Sequence, residues 1–397
     1  MKSRILGEAP RIDRTERAFL DGYVPALDGI RGLAVLIVVV HNAAWIAGAS
    51  NQIVMKGFIA ITAMGWIGVS VFFALSGFLI TGILIDSRGD KDYFRSFYLR
   101  RMLRIFPLYF TLLAAVVFLA APLAWSPAWA AEVRANHWAF WFFLSNWPEA
   151  YKVGIHGLAH LWSLAVEEQF YLLWPVIALI RSRSLGYVSW AMIISGPAIR
   201  ALLLAAGQPW DTTYTFTISR WDALAAGALL ATTVRDPQWS AVLLAVRSKL
   251  TAGLLLSLTL MILVRRGFHE QDDPVAILGQ SIVAGLSVCL LAFAIDHKPD
   301  RFVSTLQHLI SHRVLRTLGK YSYAIYLLHS PIHNLLVGPL EQWVQGADDS
   351  MRIGRVLAYL ALVLALSLGG ALISWRLIEK PCLRLKERWA PRSRVPT

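Results

Sequence analysis

Cysteine is almost missing from this chain: there are two in 397 residues. Cys289 sits in an apolar run and Cys382 in a basic stretch, which excludes a disulfide framework and a thiolate metal cluster. Charge is scarce, at 16% of residues, and acid is scarcer than base, 25 against 38. Residues 1–29 carry charges but no apolar signal-peptide core, so no cleavable leader is expected. The first apolar span is expected to be its own, uncleaved, targeting signal. No internal repeat, low-complexity linker or appended soluble domain is visible. The G-x-S-x-G motif of serine nucleophiles is lacking. The one H-x-x-x-D spacing, His269 to Asp273, falls in a polar loop and reads as coincidence.

What the chain has in quantity is apolar surface: 56% of residues are apolar and the mean hydropathy is +0.53. That profile describes a polytopic membrane protein. Ten spans read from the sequence, near 30–49, 58–85, 105–124, 161–180, 185–206, 218–234, 250–264, 275–295, 321–340 and 356–378. Each approaches the ~20 residues that cross ~30 Å of hydrocarbon, the 250–264 span being short. The aromatic stretch 138–147 is too short to cross and reads as an interfacial belt. With the N-terminus inside, the inner segments hold 28 Lys and Arg and the outer ones 8, a positive-inside pattern. It explains the net charge of +13 without nucleic acid. The expectation is an all-α membrane bundle of about ten transmembrane helices in the cell (inner) membrane, both termini cytoplasmic. Residues 1–29 are an inner segment, 30–380 the membrane domain and 381–397 a basic tail.

A charge at mid-bilayer costs ~2.5–3.5 kcal/mol on insertion scales, so each one needs a partner or a purpose. Asp28 and Arg31 open the first span, and His41 lies ten residues, roughly 15 Å, deeper. A lone intramembrane His is more often a packing residue than a catalyst; the Arg on the same helix shifts that balance. Ser76, Gly77 and Gly82 permit either close helix contact or a local break. Arg100, Arg101 and Arg104 stand at the entrance of the third span. They are either ordinary anchors or a forked guanidinium cluster for phosphates, and Arg101 and Arg104 share a helical face. The stretch HLWSLAVEEQFYLLWP, 160–175, holds Ser163 and two adjacent acids, Glu167 and Glu168. Neighbouring residues differ by about 100° around a helix, so both acids cannot face one partner. Glu167 is expected at a site and Glu168 in a structural pair. His329 lies at similar depth, and His333 nearer the outer end. Arg220 and Asp222 read as a mutual or interhelical ion pair. Two histidines and a carboxylate at one depth, with arginines at the mouth, suit proton transfer in a membrane: catalysis, or proton-coupled transport of an anion or sugar.

LDGIRGLAVLIVVVHN, ALSGFLITGIL, FYLRRMLRIFPLY, HLWSLAVEEQFYLLWP, SRWDALAAGALLA, LGKYSYAIYLLHSPIH and LIEKP follow one another across nearly the whole chain. Together they resemble the acyltransferase-3 family of membrane O-acyltransferases. The resemblance implies transfer of an acyl group, commonly acetyl from cytoplasmic acetyl-CoA, to hydroxyls of carbohydrate or lipid-linked glycan acceptors. No permanently bound cofactor is implied; acyl-CoA is a co-substrate, and membrane lipids surround the protein. The family's Arg and His fall on Arg31 and His41, its two-arginine motif on Arg101 and Arg104, and its acid on Glu167. The expected catalytic set is His41, Glu167 and Arg31. The expected substrate-binding set is Arg101, Arg104, Asp28, Ser163, His329 and Ser76. One departure stands out: nine residues separate Arg31 from His41 where the family has ten. Ten steps of 100° put the two about 80° apart on a regular helix, so either Arg31 precedes the regular helix or the helix is locally rewound. Some members carry a fused esterase-like domain; the short basic tail here leads us to expect none.

Overall fold

The computed structural model describes residues 23–49, 53–122, 127–147, 155, 157–297, 299–346 and 348–389. Most of the expected inner segment and the end of the basic tail lie outside the described residues. The described residues are almost wholly helical, with no strand among them.

Helix α1 (Pro25–Ala43) starts with proline at its first position, where no backbone N–H is lost. A short tight turn carries it to Ala47, and Gly48, at φ +62°, ends it. Helix α2 (Ile53–Ala63) runs through one tight turn into α3 (Ile67–Asp86). Helix α4 (Tyr93–Ala114) continues as a wide π turn to Ala120. Then come α5 (Pro127–Trp141), α6 (Trp162–Ile177), α7 (Ser182–Ala205), the short α8 (Trp210–Thr215) and α9 (Thr217–Thr233). Helix α10 (Pro237–Arg265) is capped by the Asp236 carboxylate, which accepts from the amides of Gln238 and Trp239. Helices α11 (Gln280–Ala294), α12 (Arg301–Ile310), α13 (Arg313–Lys320), α14 (Ser322–Gln345), α15 (Asp349–Ser374) and α16 (Lys380–Trp389) complete the chain. A π turn, Trp375–Glu379, joins the last two. The boundary expected at residue 380 therefore falls inside one helical run, and α16 packs on α4.

Among the described residues seven helices are long and apolar enough to cross a membrane: Pro25–Ala47, Ile53–Asp86, Tyr93–Ala120, Ser182–Ala205, Pro237–Arg265, Val275–Ala294 and Met351–Leu385. The other three expected spans are helical but differ in kind. Helices α6 and α9 have only 16 and 17 residues, and α14 is too polar. The span expected to be short, 250–264, is instead part of the 29-residue α10.

Helix α3 is the hub, packing on α9, α11, α1 and α6. In a bilayer, helices gain little from hiding apolar side chains, so close backbone contact through small residues decides which of them meet. A Cβ on Gly77 would lie 1.9 Å from the Leu224 carbonyl oxygen, and one on Gly227 1.9 Å from that of Ala74. The α3–α9 crossing therefore admits no side chain at either point. Helix α1 meets α13 in the same way: a Cβ on Gly32 would lie 1.9 Å from the Leu315 oxygen, and one on Gly319 1.7 Å from that of Asp28. Helix α10, with only Arg247 buried, forms an outer wall.

Candidate functional site

A file of polar groups runs along the interior of this apolar bundle. It begins where α1 starts and α3 ends. There Asp28 holds Arg31 at 3.1 Å and accepts from the Tyr23 hydroxyl at 2.8 Å. Helix α1 is regular through both Arg31 and His41, so the nine-residue separation turns them about 80° apart. Arg31 faces the arginines of α4 and is within electrostatic reach of Arg104 and Arg101. The Arg101 guanidinium lies over the Tyr171 ring, 5.4 Å from its centroid. Arg104 is exposed. Neither Arg101 nor Arg104 forms an ion pair among the described residues. Three guanidiniums against one aspartate leave this end open to an anion.

Glu167 comes next. Its two oxygens accept from Ser76 at 2.8 Å and Tyr171 at 3.2 Å, and Arg101 and Arg31 are its nearest cations. The small residues of α3 therefore serve contact rather than a break. The helix is continuous from Ile67 to Asp86, with Gly77 against α9 and Ser76 turned to Glu167. Its amides are used within the helix, so no local break frees one at Ser76–Gly77.

Glu168 also departs from expectation. Its Oε1 is buried without a hydrogen bond among the described residues, and the cation within its electrostatic reach is Arg101. The 100° step turns it toward Tyr109 and Tyr323, but both hydroxyls already donate elsewhere. Tyr109 bonds the Phe140 carbonyl at 2.8 Å, and Tyr323 that of Ile105 at 2.6 Å.

Farther along lie the histidines. His41 Nδ1 meets the Thr62 carbonyl at 2.9 Å. A carbonyl only accepts, so Nδ1 carries the proton and Nε2 keeps a free lone pair. The orienting group for His41 is thus a backbone carbonyl of α2. Glu167 is turned to Ser76 and Tyr171 and forms no hydrogen bond with His41. His329, fully buried, repeats the pattern: Nδ1 lies 2.6 Å from the Tyr326 carbonyl and Nε2 has no hydrogen bond among the described residues. His41 and His333 are both within its electrostatic reach. His333 is half-buried and bonds the Tyr359 hydroxyl at 2.7 Å. Ser163 joins the file through the Tyr326 hydroxyl, 2.6 Å away, which also donates to the His160 carbonyl at 2.8 Å.

Three members of this file were not singled out in the sequence. His160 is buried, its ring 4.9 Å from that of His329, with neither nitrogen hydrogen-bonded among the described residues. The signal was a histidine about two turns ahead of the paired acids. Tyr171 and Tyr326 gave none, since tyrosine is common in apolar spans. The RWD stretch is only half as expected. Asp222 pairs across helices with Arg200 at 2.9 Å, while Arg220 lies among the rings of Phe73, Trp162 and Tyr214 and bonds Gln280 and Ser70. No ion pair forms between Arg220 and Asp222, since Asp222 is already turned to Arg200 and Ser281.

These features define a multi-pass helical protein of the cell membrane with a chemically equipped interior. Residues 24–375 match a family model described as an acyltransferase domain, and the chain belongs to that family. YrhL of Bacillus subtilis, provisionally named a peptidoglycan O-acetyltransferase, is 31% identical over 78% of this chain and 48% of its own length. The O-acetyltransferase OatA of Staphylococcus aureus is 28% identical over 93% of this chain and 58% of its own. The peptidoglycan O-acetyltransferase OatA of Listeria monocytogenes is 29% identical over 80% and 51%. The chain spans about half the length of these relatives. No solved structure matches it. Family membership sets aside the transporter that buried His, Glu and Arg had also suggested.

Proposed function

We propose that this chain moves an acyl group, acetyl in the first instance, from cytoplasmic acyl-CoA to a hydroxyl of a carbohydrate acceptor. Peptidoglycan is the acceptor that the relatives' names favour. The reading takes all ten spans as crossing or entering the membrane, with both termini cytoplasmic. The observation that carries it is the division of the polar file. Cations suited to phosphate gather at one end, and imidazoles with free lone pairs lie farther in.

In this reading the donor's phosphates meet Arg101, Arg104 and Arg31, and its thioester arm extends toward Glu167. The acceptor oxygen attacks the thioester carbonyl carbon while its proton passes to His41 Nε2. The tetrahedral oxyanion then collapses, the C–S bond breaks, and the thiolate takes up a proton. The Thr62 carbonyl fixes the His41 tautomer, a task that a carboxylate performs in other imidazole bases. Glu167, held by Ser76 and Tyr171, balances the arginines beside the thioester. His329, Ser163 and Tyr326 line the route to the acceptor.

The test is transfer of radiolabelled acetyl from acetyl-CoA to peptidoglycan by purified protein in nanodiscs, wild type against His41→Ala. Label in the glycan with wild type alone is the expected result. Equal labelling by both proteins removes His41 from the chemistry; no labelling, and no binding of acetyl-CoA, removes the donor.

A further inference from the structure

A cleft of about 240 Å³ opens at the end of the bundle where α1 begins and α3 ends. One wall is a face of α1, with Leu27, Asp28 and Arg31, extended by Tyr23 just ahead of the helix. The other is a face of α3, with Gly82 and Asp86, closed by Arg235 from the end of α9. Whole-ligand pockets commonly measure ~300–1,000 Å³, so this one suits a fragment. Its polar lining is two aspartate–arginine pairs. Arg235 grips Asp86 with Nε at 2.9 Å and Nη2 at 2.7 Å. Asp28 holds Arg31 through one N–H at 3.1 Å.

Two details distinguish this from a pair of surface salt bridges. Arg31 uses one of its five N–H donors on Asp28 and forms no other hydrogen bond among the described residues. It also belongs to both places, lining the cleft while standing within electrostatic reach of Arg101 and Arg104. Arg235 lies flat on α3 because residue 82 is glycine: a Cβ there would come within 2.8 Å of its Nη2. The guanidinium is three-quarters enclosed or more, whereas its partner Asp86 is 42% exposed. The cation is fixed and the carboxylate is the replaceable member.

We propose that this cleft seats a phosphate of the nucleotide head of the acyl-CoA donor, with Arg235 and Arg31 as its two guanidinium ligands and Asp86 as the counterion that phosphate displaces. The inference rests on the acyl-CoA reading above and adds Arg235, Asp86 and Gly82 to it. A phospholipid headgroup offers the same phosphate chemistry, and the test separates the two.

The experiment measures CoA and pantetheine binding to the full chain in nanodiscs of zwitterionic lipid, for wild type, Arg235→Ala and Asp86→Asn, with thermal unfolding followed in parallel. Loss of one charge-assisted phosphate contact is expected to weaken CoA binding about tenfold or more in Arg235→Ala. Pantetheine, which has no phosphate, is expected to bind all three alike. Asp86→Asn is expected to hold CoA as tightly as wild type or more so, since the competing carboxylate is gone. A purely structural pair would make both variants unstable and weaken CoA in both. Unchanged CoA binding in Arg235→Ala overturns the proposal, as does equal loss of CoA and pantetheine. Repeating the measurement in phosphatidylglycerol nanodiscs addresses the lipid. If Arg235→Ala alters retention of that lipid but not CoA affinity, the cleft is a headgroup site. Wild type that binds no CoA at all would instead refute the donor assignment under Proposed function.

Discussion

Replacing His41 two ways separates its chemistry from its packing. In His41→Asn the amide nitrogen stands close to where Nδ1 stood, so the bond to the Thr62 carbonyl, 2.9 Å in the native protein, can be kept. The lone pair of Nε2 has no counterpart in that side chain. A positioned general base is worth about 10²–10⁴ in rate, which is roughly 3–5 kcal/mol of barrier. The single hydrogen bond is worth only ~0.5–1.5 kcal/mol of stability. His41→Asn is therefore expected to keep its unfolding temperature within a few degrees while losing at least a hundredfold in turnover. His41→Ala should lose the same turnover and some stability besides. The assay is initial-rate acetyl transfer in nanodiscs at saturating acetyl-CoA, beside thermal unfolding of the same samples. Turnover by His41→Asn within a few-fold of wild type would refute the base assignment. So would loss of turnover that merely follows loss of folded protein in both variants.

Three further outcomes are expected. Arg101→Ala or Arg104→Ala should raise the KM for acyl-CoA tenfold or more with a smaller effect on kcat, and the wild-type KM should rise with salt; steady-state kinetics at two ionic strengths checks both. Asp222→Ala strands the buried Arg200 guanidinium, now 2.9 Å from it, and should cost about 3–5 kcal/mol, read as a lower unfolding temperature; Arg200→Leu with Asp222→Leu should recover part of that loss. Gly77→Val places a branched side chain where even a Cβ would lie 1.9 Å from a backbone oxygen. It should yield little folded, monodisperse protein in detergent, whereas valine at Gly253, which has nothing within 4 Å, should be tolerated on size-exclusion chromatography.

Hydropathy located the helices well because each apolar run is long and uninterrupted, and every expected span falls on a helix. It misjudged which of them cross unaided. Helices α6, α9 and α14 carry the interior polar groups, and those same groups lower their hydropathy and shorten their apolar stretches. Among the site residues, Arg31, Arg101 and Glu167 do stand near one another, since charge inside a membrane is conspicuous in any sequence. Their partners were not legible. That Thr62 orients His41 depends on a backbone carbonyl, which every residue has. That Glu168 Oε1 is left without a hydrogen bond depends on Tyr109 and Tyr323 having committed their hydroxyls elsewhere, a matter of packing between helices. Arg220 illustrates the same point. Its neighbour Asp222 is two residues away in sequence, yet its actual surroundings are three rings and two polar groups from other elements.

The brevity of α6 has a consequence for the surrounding bilayer. Sixteen residues rise about 24 Å, several ångströms less than the ~30 Å of a typical hydrocarbon core. Where α6 crosses the membrane, as the proposed function takes it to, lipid beside Leu172, Leu173 and Val176, all exposed on this helix, has to thin to match it, or water has to reach the buried turn at His160 just ahead of it. Either way the insulating layer beside α6, which bears Glu167, is then thinner than that beside the 29-residue α10. On the proposed function, the helix that bears the acid thus shortens the distance over which an acyl group has to be handed from one side of the membrane to the other.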